Sequence, residues 1–159
     1  MKDSKVSGII KLITSITICL AAGVLGSIFT IPSIPTWYET LIKPSFTPPN
    51  WVFAPVWTSL FIMMGISLYI IWQKGSSNGK ALSIFSVQLI LNVLWSAIFF
   101  GLRSPLAGLI EICILWILIL LTILEFMKIS RTAGLLLIPY ILWVSFAALI
   151  NFFIWRLNN

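Results

Sequence analysis

Five stretches of this chain are each long and apolar enough to cross a lipid bilayer, and that single fact removes most folds from consideration. They run over about 8–30, 51–73, 80–101, 105–126 and 133–155, where a helix needs about 20 apolar residues to traverse a hydrocarbon core of roughly 30 Å. Inside lipid no water satisfies the peptide groups, so a spanning segment closes its own hydrogen bonds as a helix or joins a barrel. Continuous apolar runs, as opposed to alternating ones, read as helices. The expected architecture is all-α: one integral membrane domain over 1–159, built as a five-helix transmembrane bundle. Charge agrees, because only 9% of residues are charged and 60% are hydrophobic, whereas a water-soluble domain keeps roughly a quarter charged.

Local chemistry marks the boundaries. Asn50 before Trp51 and Ser104 before Pro105 read as N-caps, the second with proline at the first helical position. The run from Lys74 to Lys80, rich in Gly, Ser and Asn, reads as a plain turn between spans two and three. Pro55 and Pro139 fall inside spans two and five and are expected to bend them near one end. The first span has basic flanks like a signal peptide, but its apolar run is longer than the usual signal core. It is expected to be retained, with Lys11 snorkelling.

The net charge of +6 invites a nucleic-acid reading, yet the ten Lys and Arg are scattered singly between apolar runs, which suits membrane topology instead. No nucleic-acid partner is expected. Seven basic residues (Lys2, Lys5, Lys11, Lys74, Lys80, Lys128, Arg131) fall on one side and three (Lys43, Arg103, Arg156) on the other. That asymmetry predicts a membrane protein with its N-terminus inside and its C-terminus outside. Histidine is absent, which excludes Ser-His and Cys-His nucleophiles and imidazole ligation of zinc or haem. No metal site and no required cofactor are expected. Cys19 and Cys113 lie within apolar spans and read as soft packing residues.

The connection over 31–50 is unlike the others. It carries five of the eight prolines (Pro32, Pro35, Pro44, Pro48, Pro49) together with Trp37, Tyr38 and Phe46. Restricted proline dihedrals and several aromatics predict an ordered cover over one mouth of the bundle. In span three, Gln88, Asn92, Trp95 and Phe99 share one helical face, and in span five so do Tyr140, Trp143, Ala147 and Asn151. Two stripes, each with an amide and a tryptophan, are either interhelical hydrogen-bonding glue or the walls of an aromatic cavity. Of the eight tryptophans, Trp37, Trp51, Trp72 and Trp155 sit near span ends, where an interfacial belt explains them. Trp57, Trp95, Trp116 and Trp143 lie deeper, with indole N–H groups that need acceptors. Glu111 is expected near the membrane surface, solvated or paired with Arg103; the alternative is a proton-coupling carboxylate of a transporter. Ala97 and Gly101 form a small-xxx-small pair that would seat a partner helix, including one from a second protomer.

Trp37-Tyr38, Lys43-Pro44-Ser45-Phe46, Pro48-Pro49, Trp51, Phe53, Pro55-Val56-Trp57, then Asn92, Trp95, Phe99-Phe100-Gly101 and Arg103, and finally Pro139-Tyr140, Trp143, Phe146-Ala147, Ile150-Asn151 and Trp155-Arg156 together form a pattern that resembles the tryptophan-rich sensory protein family. This is the bacterial branch of the translocator protein, or peripheral benzodiazepine receptor, family. The resemblance spans nearly the whole chain. It implies a five-helix bundle, usually a homodimer, with a pocket beneath the first loop that takes porphyrins such as protoporphyrin IX or lipophilic drugs such as the isoquinoline carboxamide PK11195. Carried onto this chain, the implied ligand-binding residues are Phe46, Trp51, Phe53 and Ala54 near the cover, with Asn92, Trp95, Trp143, Ala147 and Ile150 deeper. These overlap the two stripes and favour the cavity. Porphyrin propionates would reach Lys43 or Arg103. The resemblance also implies two other readings: light- and oxygen-dependent porphyrin breakdown, with Trp51 and Trp143 as the oxidisable indoles, and transport of tetrapyrroles or other lipophiles. The family's sterol-recognition segment has a tyrosine where this chain has Phe152, so sterol binding is not expected.

Overall fold

The computed structural model describes residues 2–75 and 78–159, the side chains of 2–6 excepted. Among the described residues there are six α-helices and no strand. They are α1 (Lys2–Thr36), α2 (Asn50–Gln73), α3 (Gly79–Ser96), α4 (Pro105–Ile129), α5 (Arg131–Leu135) and α6 (Ile138–Leu157). Five spans long and apolar enough to cross a membrane result, the fifth made of α5 and α6 together. The protein is an integral membrane helical bundle. Of the turn read between Lys74 and Lys80, Ser76 and Ser77 lie outside the described residues.

Helix α1 is longer than its sequence suggests. Its 35 residues reach about 50 Å at 1.5 Å per residue, and Pro32 and Pro35 lie inside it, not in the cover. The last turns survive the missing proline N–H groups because other bonds hold them. Thr36 Oγ1 donates to the Pro32 carbonyl at 2.8 Å, Trp37 N–H donates to Ser33 O at 3.0 Å, and buried Ser33 donates through Oγ to Phe100 O at 2.9 Å. The cover therefore shortens to 37–49, opening on a 3₁₀ turn over Tyr38–Thr40.

Proline acts differently in the fifth span. Pro139 sits in the first turn of α6, where its lack of an N–H is harmless. The span breaks just before it, so α5 and α6 are separate helices and not one bent rod. Pro49 is the residue capping α2, with Asn50 already helical and making no side-chain cap. Ser104 behaves as expected: its Oγ accepts from Ala107 N at 3.4 Å, with Pro105 opening α4.

Helix α1 packs against α2 and α3, α4 packs against α3 and α6, and α5 packs against α4 and α2. The α1–α2 contact is set by glycine. A Cβ on Gly65 would stand 2.6 Å from Ile16 Cα, and one on Gly23 would stand 2.6 Å from the Phe61 ring. Gly101 makes room for the Phe29 ring in the same way, at 3.1 Å. The small-residue seat near Ala97 is thus occupied by the chain's own α1. At the end shared by the first residues of α3 and the last of α4, Glu125 Oε1 is 2.9 Å from both Lys80 and Lys128. These pairs are largely exposed on the lysine side and contribute little to stability.

The end of α3 departs from α-geometry. Ala97–Gly101 form a π turn in which Leu102 N–H bonds to Ala97 O at 2.9 Å. The wider turn buries both Phe99 and Phe100, neighbours that an α-helix would spread by about 100° around its axis. π turns of this kind frequently mark functional positions.

Candidate functional site: an aromatic cavity within the bundle

A cavity of about 550 Å³ lies between α1, α2, α3 and α6 and reaches Tyr38 in the cover. On α2 its wall is Asn50, Phe53, Ala54, Trp57, Thr58 and Phe61, a 3–4-residue stripe down one helical face. On α3 and the π turn it is Asn92, Trp95, Ser96, Phe99 and Phe100; on α6 it is Ala147, Ile150, Asn151 and Ile154. Helix α1 contributes mostly small side chains, including Gly23, Gly26, Ser27 and Thr30.

The aromatics form a continuous system. Trp95 stacks on Phe99 with ring centroids 5.2 Å apart, and Phe99 meets Phe100 edge-on at 4.8 Å. Tyr38 stands against Phe99 and Phe100 at 6.3 and 5.6 Å. Trp57 stacks on Phe61 at 5.6 Å. Among the described residues no formally charged side chain lines the cavity. Burial pushes the Tyr38 phenol up to about 12, so it stays neutral at physiological pH.

Behind these rings run two short hydrogen-bonded chains that together join three helices. Asn92 Nδ2 donates to the Tyr140 hydroxyl at 2.9 Å, which donates to Gln88 Oε1 at 2.9 Å. Trp95 Nε1 donates to Asn151 Oδ1 at 3.3 Å, and Asn151 Nδ2 donates to Pro105 O at 2.7 Å. The two amide-and-tryptophan stripes therefore do both jobs set out from the sequence: they tie α3, α4 and α6 together, and Asn92, Trp95, Ala147 and Asn151 line the hollow.

Of the nine residues the resemblance implied, Phe53, Ala54, Asn92, Trp95, Ala147 and Ile150 line the cavity. The other three stand elsewhere. Trp51 is 76% exposed and falls off the α2 stripe. Phe46 packs in the cover against Phe146 and Phe153, at 6.2 and 5.5 Å. Trp143 backs the wall edge-on to Phe53 at 5.8 Å. Lys43 is engaged within the cover: its Nζ donates to the carbonyls of Tyr38 and Leu41 at 2.7 and 3.2 Å and sits 4.7 Å from the Tyr38 ring centroid. Arg103 is exposed and holds a left-handed backbone, φ 52°. Cys19 is buried, Cys113 is exposed, and both are free thiols.

Glu111 corrects the surface reading. It is only 6% exposed, and both carboxyl oxygens are buried without a hydrogen-bond partner among the described residues. A buried polar group in that state costs about 1–3 kcal/mol. Glu111→Leu is accordingly expected to stabilise the bundle by about 1 kcal/mol, read as a higher thermal midpoint in detergent. A fall in the midpoint would mean that the carboxyl is held by a favourable contact.

Helical spans, a proline-stiffened cover and a neutral aromatic hollow define a helical membrane protein with an internal cavity. The chain belongs to the TspO/MBR family, which it matches over residues 15–156. It is 51% identical over 154 residues to the tryptophan-rich protein TspO of Chlorobaculum tepidum, covering 94% of this chain and 97% of that protein. The tryptophan-rich sensory protein of Cereibacter sphaeroides is 36% identical, covering 77% of each chain. The human translocator protein is also 36% identical, over 77% of this chain and 75% of its own length. These relatives place it among membrane proteins of sensor and translocator type.

Proposed function

We propose that the protein is a membrane sensor that binds protoporphyrin IX, and similarly flat lipophilic aromatics such as PK11195, in the cavity between α1, α2, α3 and α6. The observation that carries this reading is a hollow of about 550 Å³, within the usual 300–1,000 Å³ of small-molecule sites, walled by stacked indole and phenyl rings. Ring stacking on Trp95 and Trp57 supplies most of the attraction, at about 0.5–1.5 kcal/mol per favourable pair beyond the area buried. Asn92 spends its Nδ2 on Tyr140 and keeps Oδ1 as an acceptor for a pyrrole or amide N–H. The uncharged wall requires that propionates stay at the mouth. Arg103 is the candidate there, since Lys43 is already committed to backbone carbonyls.

The test is a titration of the reconstituted protein with protoporphyrin IX, following tryptophan quenching and the porphyrin absorption band. Saturable binding is expected, weakened about tenfold, or 1.4 kcal/mol, by Trp95→Leu. Absence of saturable binding in the folded wild type would remove the reading. The same proposal places the protein in the bacterial cytoplasmic membrane as a homodimer with its N-terminus inside. The seven-to-three basic asymmetry supports that orientation, and reporter fusions in the turn after Lys74 test it.

A further inference from the structure

The cavity is fastened on one side and unfastened on another. At the cover, the Asn158 side chain grips Ile42 twice: Oδ1 accepts from Ile42 N at 2.9 Å, and Nδ2 donates to Ile42 O at 2.8 Å. Lys43 ties Tyr38 and Leu41 from within, and Phe46 is wedged against α6. Bonds and packed rings together hold 37–49 over this end of the bundle.

Between α1 and α2 the arrangement differs. The two antiparallel helices touch closely at Gly65–Ile16 and at Gly23–Phe61. Beyond that point, toward the cover, both of them line the cavity. Several residues there are small, and the hydroxyls among them turn back on their own helices: Ser27 to Val24 O, Thr30 to Gly26 O and Thr58 to Ala54 O, at 2.7, 3.2 and 2.8 Å. None of these hydroxyls bonds across the gap. Ala54 and Thr58 line the cavity and are nevertheless exposed, as are Val24 at 63% and Ile31 at 66%. All of them belong to helices long and apolar enough to cross a membrane, so lipid is the surrounding expected outside this gap.

We propose that the cavity opens sideways into the bilayer between α1 and α2, and that its resting occupant is the acyl chain of a membrane lipid. Apolar hollows do not hold water, which needs two to four polar partners; the lining here is largely apolar, and Asn92, Trp95 and Asn151 already bond to protein groups. Protein interiors are otherwise close-packed, so a hollow of this size takes up the apolar fluid that reaches it, and hydrocarbon is the fluid at the gap. Any larger ligand then arrives dissolved in the membrane and displaces a lipid tail. This holds whether or not porphyrins bind.

The experiment reconstitutes the full chain in bilayers containing phosphatidylcholine with a photoactivatable diazirine midway along one acyl chain. After irradiation, the adducts are mapped by peptide mass spectrometry. Adducts are expected on the inward residues Phe53, Trp57, Trp95 and Phe99 as well as on outward ones such as Ile90 and Leu142. Thr58→Phe, which crowds the gap, is expected to cut the inner adducts several-fold and spare the outer ones. Asn158→Ala, which releases the cover, is expected to leave both unchanged. Wild-type adducts confined to outward residues would overturn the proposal on their own, even if Thr58→Phe failed to fold. Inner adducts that appear only after Asn158→Ala would overturn it too, by showing access through the cover. Saturation with protoporphyrin IX provides the separate arm. Inner adducts that protoporphyrin does not displace sustain the lateral opening and count against the porphyrin reading alone.

Discussion

Tyr140→Phe is expected to destabilise the bundle by about 2–3 kcal/mol while removing a single oxygen atom. The Tyr140 hydroxyl is fully enclosed and is the shared member of two hydrogen bonds, accepting from Asn92 and donating to Gln88. Its loss leaves the Asn92 amide donor and the Gln88 amide acceptor buried without the partner they share. Interhelical hydrogen bonds in membranes average only about 0.6 kcal/mol, because the separated helices find other partners. Two such bonds would amount to little over 1 kcal/mol. The larger figure expected here comes from stranding two buried polar groups, at about 1–3 kcal/mol each. Gln88 Nε2 is already without a partner among the described residues, so that amide has little left to hold it. The measurement is thermal unfolding in detergent. Tyr140→Phe combined with Gln88→Leu should recover part of the loss, because the second change removes the stranded acceptor. An unchanged midpoint for Tyr140→Phe would show that the chain of bonds contributes nothing to holding α3 against α6.

How far the sequence alone reaches depends on contrast. The five spans were legible because hydrocarbon enforces length and composition, and Ser104-Pro105 were legible because capping is local. The stripes on α3 and α6 stood out because Gln88, Asn92, Tyr140 and Asn151 are polar in a setting where polar groups need a reason. Helix α1 gave no such contrast. Its lipid side and its cavity side are both apolar, and its contribution is made by side chains that are small or missing, Gly23 and Gly26 among them. Spacing of small residues within an otherwise Ile- and Leu-rich span was the one available signal. Phe100 was obscured for another reason: it shares an inward side with its neighbour Phe99 only because the π turn breaks the 3.6-residue period. The two α1 prolines misled as helix breakers, since Ser33, Thr36 and Trp37 supply bonds that local rules do not foresee. Glu111 was misplaced because a lone carboxyl in a span is costly, and the argument from cost favoured the surface.

Ala147→Phe should separate stability from binding. Ala147 is half-buried, lines the cavity and sits on α6 one turn before Ile150 and Asn151. A phenyl group there grows into existing space, so the usual penalty for overpacking, about 1–3 kcal/mol, does not arise. Filling a hollow adds contacts that it lacked, and cavity-filling changes commonly add about 0.5–2 kcal/mol. The thermal midpoint is therefore expected to stay level or rise. Affinity for protoporphyrin IX or PK11195 is expected to fall about a hundredfold, some 2.7 kcal/mol, since the new ring takes the room that the ligand's flat face requires. Leu149→Phe is the matched control. It puts the same aromatic group two residues away on the same helix, at an exposed position that does not line the cavity, and it should leave affinity unaltered. Equal affinities for Ala147→Phe and wild type, with both folded, would mean that the lipophile binds somewhere other than between these four helices.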